Sequence, residues 1–223
     1  MQKIAIYDMD RTITKRGTYT PFLFHMVFAR APWRLVFLPL LPFGFIAYGL
    51  KLISRKDLKT YNQRLLLGAA PKLDALQPHI ESYANKVMLE NSYEKAVAQV
   101  EEDRNQGRKL VLATASYELY VDAIATRLGF DDVIGTKLEI DDNGRVLPKI
   151  IGENCYDEAK LDRIKIFLDQ QSVDRKKIHI RAYSDHVSDA PMLDYADEAV
   201  ATTPSPALRQ LAEKRGWKIV DWD

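Results

Sequence analysis

The sequence predicts an α/β fold of the Rossmann-like kind: a parallel sheet flanked by helices, with a helical insertion after the first strand. Three observations carry that prediction. Short apolar runs rich in β-branched residues recur at 4–7, 109–113, 178–182 and 200–203, each of strand length rather than helix length. From residue 109 onward these runs alternate with stretches of helical period, the pattern of parallel strands joined by helices. Acidic or hydroxyl residues stand where the runs end, at Asp8, Thr114 and Asp185, the edge of an open α/β sheet at which ligands bind.

The first run, Ile-Ala-Ile-Tyr, delivers Asp8 and Asp10, with Thr12 two residues on. Residues i and i+2 of a strand share a side, so the two carboxylates are expected to project together. A hard divalent cation such as Mg²⁺ gives such a pair a reason to stay ionised. On these residues alone three readings stand open: a solvated turn, the metal-holding pair of a sugar-nucleotide glycosyltransferase, and a catalytic pair.

Residues 15–90 read as a mostly helical insertion. Within it, residues 35–50 form sixteen positions without a charge, short of the roughly 20 a spanning helix needs. Pro39, Pro42 and Gly44 divide the run into two short helices. Arg30 and Arg34 precede it, Lys51, Arg55 and Lys56 follow it, and Trp33 and Tyr48 stand near its ends, as aromatic residues do at membrane interfaces. Flanking strands that share one sheet exclude a single crossing. The expectation is a re-entrant or interfacial hairpin that touches a membrane surface through residues 21–56, against a buried lid over the site or a dimer interface. Residues 1–60 carry ten Lys or Arg against three acids, a net +7, so with +1 for the whole chain the remainder carries −6. That asymmetry suits an anionic surface or substrate. Basic runs interleaved with aromatics are missing elsewhere, so no nucleic-acid partner is expected.

Residues 56–91 look helical with breaks at Pro71 and Pro78, and Ser92 is placed to cap a helix over 93–106 that stops at Gly107. The strand at 109–113 ends in Thr114-Ala115-Ser116 before a helix over 117–128. That junction offers a hydroxyl and backbone N–H groups to a phosphate, or serves only as an N-cap. Residues 133–150 read as a β-hairpin around Asp142-Asn143-Gly144. Lys160 falls near the start of a helix over 157–170. The strand at 178–182 runs into a loop that places Asp185 and Asp189 four residues apart, and an edge strand closes the chain within 217–222. The single cysteine, Cys155, excludes an internal disulfide framework and reads as a small buried residue. The N-terminus enters the first strand directly, so no signal peptide is expected and the site is expected to face the cytoplasm.

The order Asp8-Met9-Asp10-Arg11-Thr12, then Thr114, then Lys160, then Asp185 with Asp189 resembles the four motifs of the haloacid dehalogenase (HAD) superfamily. A glycosyltransferase pair would not bring the later lysine and acids with it. The resemblance implies a HAD phosphatase core in residues 1–14 and 91–223, with residues 15–90 as a helical type 1 cap. Within the superfamily the chain is most similar to subfamily IB, the branch of phosphoserine phosphatases and phosphatidylglycerophosphatase C. The apolar, proline-broken insertion looks like the latter.

What the resemblance implies for the site is specific. Asp8 attacks phosphorus and Asp10 acts as acid and base. Thr114 and the Ala115 N–H bind phosphoryl oxygens, and Lys160 offsets charge on both Asp8 and phosphate. Asp8, the Asp10 carbonyl and Asp185 hold Mg²⁺, Asp189 orients Lys160 or a metal-bound water, and Arg11 contacts substrate. Arg11 departs from the Gly or Ser usual at that position. Gly17 stands where phosphoserine phosphatases carry a substrate-binding Glu, which counts against phosphoserine. His186 and Ser188 replace a Gly and an Asn. The expected function is a Mg²⁺-dependent phosphomonoesterase acting on a phospholipid-type phosphate such as phosphatidylglycerophosphate, at the cytoplasmic face of the inner membrane. The alternatives are a soluble-metabolite phosphatase and a binding module that keeps the fold without turnover.

Overall fold

The computed structural model describes residues 2–171 and 174–222. The chain opens with strand β1 (Gln2–Tyr7) and then leaves the sheet for an insertion. This holds α1 (Tyr19–Arg30), a 3₁₀ segment (Pro32–Leu40), α2 (Leu41–Gly49), α3 (Arg55–Leu66) and α4 (Leu73–Glu90). It returns through α5 (Glu94–Asn105), β2 (Lys109–Tyr117), α6 (Glu118–Leu128) and β3 (Asp132–Thr136). A two-stranded ribbon of β4 (Leu138–Ile140) and β5 (Val146–Ile150) leads to α7 (Glu158–Gln170). The remainder is β6 (Ile178–Ser184), α8 (Ala190–Tyr195), β7 (Glu198–Thr202), α9 (Pro206–Arg215) and β8 (Lys218–Val220).

Six strands form one parallel sheet in the order β3-β2-β1-β6-β7-β8. The apolar composition of β1 follows from its central place. Ala5 and Tyr7 pack into a cluster with α6 and the insertion, while Ile4 and Ile6 pack on the other face with α7, α8 and α9. Helices therefore cover both faces, which is why the strand runs read as continuous rather than alternating. The chain progresses outward from β1 in both directions, so the crevice beyond its carboxyl end is a switch point of the topology. The neighbours β2 and β6 carry Thr114 and lead into Asp185 at the same edge.

Below that edge α5 is bound to the sheet through the fully buried Asp103. Tyr7 and Tyr183 donate their hydroxyls to its Oδ2 at 2.6 and 2.7 Å, and Arg181 Nη1 donates to Oδ1 at 2.7 Å. The two tyrosine rings, from adjacent strands, stack at 4.1 Å. These contacts lock β1 and β6 in register beneath the residues that follow them.

Several sequence expectations need correction. The hairpin expected over 133–150 is smaller: Asp132–Thr136 joins the main sheet parallel to β2, and only β4 and β5 pair antiparallel around the Asp141–Gly144 turn. The apolar content of the first segment suits a buried edge position, which a hairpin pattern conceals. Pro78 does not break a helix. It lies inside α4, whose buried face of Leu76, Ile80, Tyr83, Ala84 and Val87 outweighs the one missing backbone donor. Ser92 does not cap α5: it forms an antiparallel bridge with Thr14, and its hydroxyl donates back to the Met88 carbonyl at 2.7 Å. The second strand continues to Tyr117, past its expected end at residue 113.

Candidate active site

The residue after β1 still belongs to the ladder, because the Asp8 N–H donates to the Tyr183 carbonyl at 3.0 Å. The chain then curls. The Met9 carbonyl accepts from the N–H groups of Thr12, Ile13 and Thr14 at 3.3, 2.9 and 3.0 Å. Arg11 takes a left-handed conformation at φ +66° to make that turn, which is why Gly suits the position. The turn brings Thr12 back over the strand end. Its hydroxyl lies 3.3 Å from Asp8 Oδ2 and 3.2 Å from Asp185 Oδ1, and it accepts the Asp185 N–H at 3.0 Å. One hydroxyl proton serves one carboxylate at a time.

All eight residues expected at the site, Asp8, Asp10, Arg11, Thr114, Ala115, Lys160, Asp185 and Asp189, line one cavity of about 270 Å³. Arg55, Tyr156, His186 and Ser188 complete its wall. Lys160, in the first turn of α7, is 2 % exposed. Its Nζ lies 2.8 Å from Asp8 Oδ1 and 2.7 Å from Asp189 Oδ1. The second contact is an ion pair off the axis of a hydrogen bond. Ser184 Oγ fixes the other oxygen of Asp189 at 2.6 Å.

The electrostatics follow from burial. Burial would discharge the Lys160 ammonium, but Asp189 and Asp8 outweigh it and hold the lysine above its ordinary range. Asp8 is raised by burial; Lys160 opposes the rise, and the charges of Asp189 and Asp185 add to it. Asp185 is pushed up to about 6 by burial and by Asp189. Three buried carboxylates thus face one buried ammonium, and the cluster carries an excess of negative charge.

Asp10 lines the same cavity as Asp8 but is held by partners of its own. Its Oδ1 accepts the Thr18 N–H at 2.6 Å and its Oδ2 accepts the Ser116 hydroxyl at 2.7 Å. Thr18 is itself held by Tyr120 at 2.9 Å and by the Tyr83 hydroxyl, which donates to its carbonyl at 2.6 Å. The sequence gives no role to Ser116 or Thr18, yet both fix the direction of the Asp10 carboxylate. Thr114 accepts the Ser116 N–H at 3.1 Å, and the register shift between Ala113 and Tyr117 takes residues 114–116 out of the ladder with β3. His186 and Ser188 bond to each other: the ring Nδ1 accepts the Ser188 N–H at 3.2 Å, 2.9 Å from its hydroxyl. That pairing shapes the loop between Asp185 and Asp189.

Sequence reasoning also missed Lys59. On α3 the buried face is largely polar, with Lys59, Asn62 and Gln63 beside Leu58 and Leu66, so hydrophobic periodicity reads it as solvated. Lys59 donates to the Ala115 carbonyl at 2.6 Å and to Asn154 Oδ1 at 2.9 Å, beneath the Tyr117 ring at 4.6 Å. It anchors the insertion to the loop that carries Thr114. Burial, with Arg55 adding to it, pushes Lys59 down to about 7 from an ordinary 10.5. Between those values the unfolded chain binds more protons, so stability rises with pH across that window. Lys59→Met should flatten the rise in Tm between neutral pH and pH about 9 that wild type shows. An unchanged difference in thermal scans would contradict the assignment. Cys155 is buried, with its thiol pushed up to about 11 by burial, which leaves it a packing residue.

The family model for haloacid dehalogenase-like hydrolases matches residues 5–194. Protein CicA of Caulobacter vibrioides is 31 % identical over 196 residues, covering 87 % of this chain and 83 % of that protein. Phosphoserine phosphatase SerB1 of Mycobacterium tuberculosis is 36 % identical over 117 residues, 52 % of this chain and only 37 % of its own length. A Bordetella pertussis Tohama I protein of unknown function has the same fold at TM-score 0.88 and 24 % identity, with both chains covered completely. The chain therefore belongs to the haloacid dehalogenase-like hydrolases. It is an enzyme of that family's phosphatase type.

Proposed function

We propose that this enzyme is a Mg²⁺-dependent phosphomonoesterase that passes its phosphoryl group through Asp8 and takes a phospholipid-type phosphate as substrate. One observation carries the reading: the Asp8 carboxylate stands at the carboxyl end of the central strand, bound on one oxygen by Lys160 and facing a cavity edged by Thr114, Asp10 and Asp185.

The donor set fits a hard divalent cation. Asp8 and Asp185 are bridged by Thr12, and among the described residues Lys160 on Asp8 is the one ion-pair partner of the two carboxylates. Among the described residues no three acid, His or Cys side chains gather into a metal cage. Two carboxylates completed by the Asp10 carbonyl, water and a phosphoryl oxygen are the usual surroundings of Mg²⁺. When bound, the cation would neutralise phosphoryl charge and orient the group for attack.

The protein's own groups divide the reaction into two displacements. An oxygen of Asp8 forms a bond to phosphorus as the bond to the ester oxygen breaks, and the departing oxygen takes a proton from the Asp10 carboxyl. Asp10, now a carboxylate, removes a proton from a water that attacks the same phosphorus. The electron pair of the acyl phosphate bond returns to Asp8. Lys160 holds Asp8 in place and, with Thr114 and the Ala115 N–H, offsets charge on the transferring group. Asp189 orients Lys160. Arg11 and Arg55, at the cavity wall, suit a leaving group that is itself anionic. Residues 1–14 and 91–223 act as the core, residues 15–90 as the cap, and the enzyme works at the cytoplasmic face of the membrane.

The test is phosphate release from a water-soluble aryl phosphate and from lipid phosphates in detergent micelles, with and without EDTA. Turnover should vanish with EDTA, return with added Mg²⁺, and show the higher kcat/KM on lipid phosphates. Turnover indifferent to EDTA would overturn the metal assignment. A preference for soluble phosphates of the same headgroup would overturn the substrate assignment.

A further inference from the structure

The outer face of the 3₁₀ segment and α2 is apolar where a soluble helix would be polar. Of the fourteen large hydrophobic residues exposed among the described residues, nine fall between Trp33 and Leu52. Six of them, Trp33, Val36, Leu40, Phe43, Ile46 and Leu50, recur at intervals of three or four and form one stripe, each 41–68 % exposed. The opposite face is already used. Leu35, Leu38 and Leu41 pack against the core cluster, and Gly44 is buried so close to Tyr61 that a Cβ would lie 2.7 Å from the ring.

We propose that this stripe is a docking face for an anionic lipid surface, on which the protein lies without crossing. Charge complementarity selects the occupant. From residue 11 to residue 56 the chain contains no acidic residue. Arg30 and Arg34 direct their guanidinium groups to the carbonyls of Leu67, Leu65 and Arg64, at 2.6–2.8 Å, and have no carboxylate partner among the described residues, so their charge stays uncompensated beside the stripe. Lys51 is exposed at the end of α2 and forms no ion pair among the described residues. An apolar face rimmed by cations, with Trp33 and Tyr48 at the two ends, is the composition of an interfacial helix.

Crossing is excluded by the packing. Pro32–Gly49 is long and apolar enough to span a membrane by length and composition, and only 6 % of it is buried. Yet Arg34 bonds to the end of α3, Tyr61 of α3 donates to the Leu40 carbonyl at 2.9 Å, and α1 and α3 pack against each other. A spanning segment would separate α1 from α3, while both strands that flank the insertion are neighbours in one sheet. Arg55, which lines the catalytic cavity, follows the exposed Leu52 by three residues, so the chain passes from the apolar segment to the cavity wall within one short turn. The inference deepens the proposed function by naming the surface that presents its substrate, and it is read by binding rather than turnover.

The test is flotation of the full-length protein with vesicles of phosphatidylcholine alone and of phosphatidylcholine mixed with phosphatidylglycerol. Wild type should float with the anionic vesicles, less as salt rises, and remain behind with the neutral ones. The double variant Phe43→Ser with Ile46→Ser alters two side chains that touch no catalytic group. It should weaken partitioning about 100-fold, with hydrolysis of a soluble aryl phosphate unchanged. Equal flotation of variant and wild type, no flotation with anionic vesicles, or equal flotation with neutral ones would overturn the inference. So would a wild-type dimer that the variant converts to monomer, since a second copy would then cover the stripe. Flotation without aryl phosphatase activity would instead refute the proposed chemistry and leave the docking face standing.

Discussion

Asp8→Asn should reduce Mg²⁺-dependent phosphate release by about 10⁴-fold or more, because a neutral amide is too weak a nucleophile to form the acyl phosphate that the route requires. The same substitution should not unfold the protein. The amide keeps the shape of the carboxylate, Thr12 can still donate to it, and Lys160 retains Asp189 at 2.7 Å. It should in fact stabilise the metal-free enzyme. Asp8 is raised by burial and by its acidic neighbours, so the folded state binds its proton more tightly than the unfolded state does. Stability from that group is complete below the ordinary carboxylate pKa and falls as pH rises through the folded value. At neutral pH folding has to protonate a carboxyl that is ionised in the unfolded chain, because burial pushes Asp8 up to about 8, and Asn removes that cost. An inactive variant with equal or higher Tm in EDTA is the expected pair of results; an inactive variant with a collapsed Tm would leave the loss without chemical meaning.

Asp10→Asn should lower kcat by about 10²–10⁴-fold, the usual worth of a positioned acid–base group. Its geometry survives the change, since the amide oxygen can still accept from the Thr18 N–H and the Ser116 hydroxyl can rotate to accept from the amide nitrogen. The loss should depend on the leaving group. An aryl oxygen departs readily without a proton, while an alkyl oxygen needs one, so the first step should be slowed more for alkyl phosphates. Kinetics across a series of esters reads this directly. A loss that is the same for all esters at the bond-breaking step would remove the acid role from Asp10.

The parts of the site that lie along single strands were legible from the sequence. Asp8, Thr114 and Asp185 each follow an apolar run, and parallel strands bring their carboxyl ends to one edge, so linear order already implied proximity. Lys160 was legible by order alone, since nothing local marks it as buried. Residues that act from the insertion were not legible. Lys59 sits on a polar helix face that periodicity assigns to water, and only the packing of the insertion against the sheet turns it into a buried anchor for Ala115. Ser116 and Thr18 are small hydroxyl residues whose ordinary uses, capping and turns, hide their grip on Asp10. Pro78 and Ser92 misled for the opposite reason: local rules gave them roles that tertiary packing overrides. The unusual apolarity of residues 35–50 was visible at once, but which face it would present was decided by the packing of Gly44 and Leu41 against the body of the protein.

Arg11 illustrates how a local departure is absorbed. The turn after Asp10 requires a left-handed residue, and Arg accepts the strain of φ +66° while placing its side chain on the cavity wall.

The most direct measurement is rapid acid quench of the Mg²⁺-loaded enzyme during turnover of an alkyl phosphate, followed by peptide mass mapping. The expected result is one phosphoryl group on the peptide that contains Asp8, absent in Asp8→Asn and decaying with the rate of turnover. Full turnover with no phosphorylated peptide, or a phosphoryl group on another residue, would contradict Asp8 as the nucleophile.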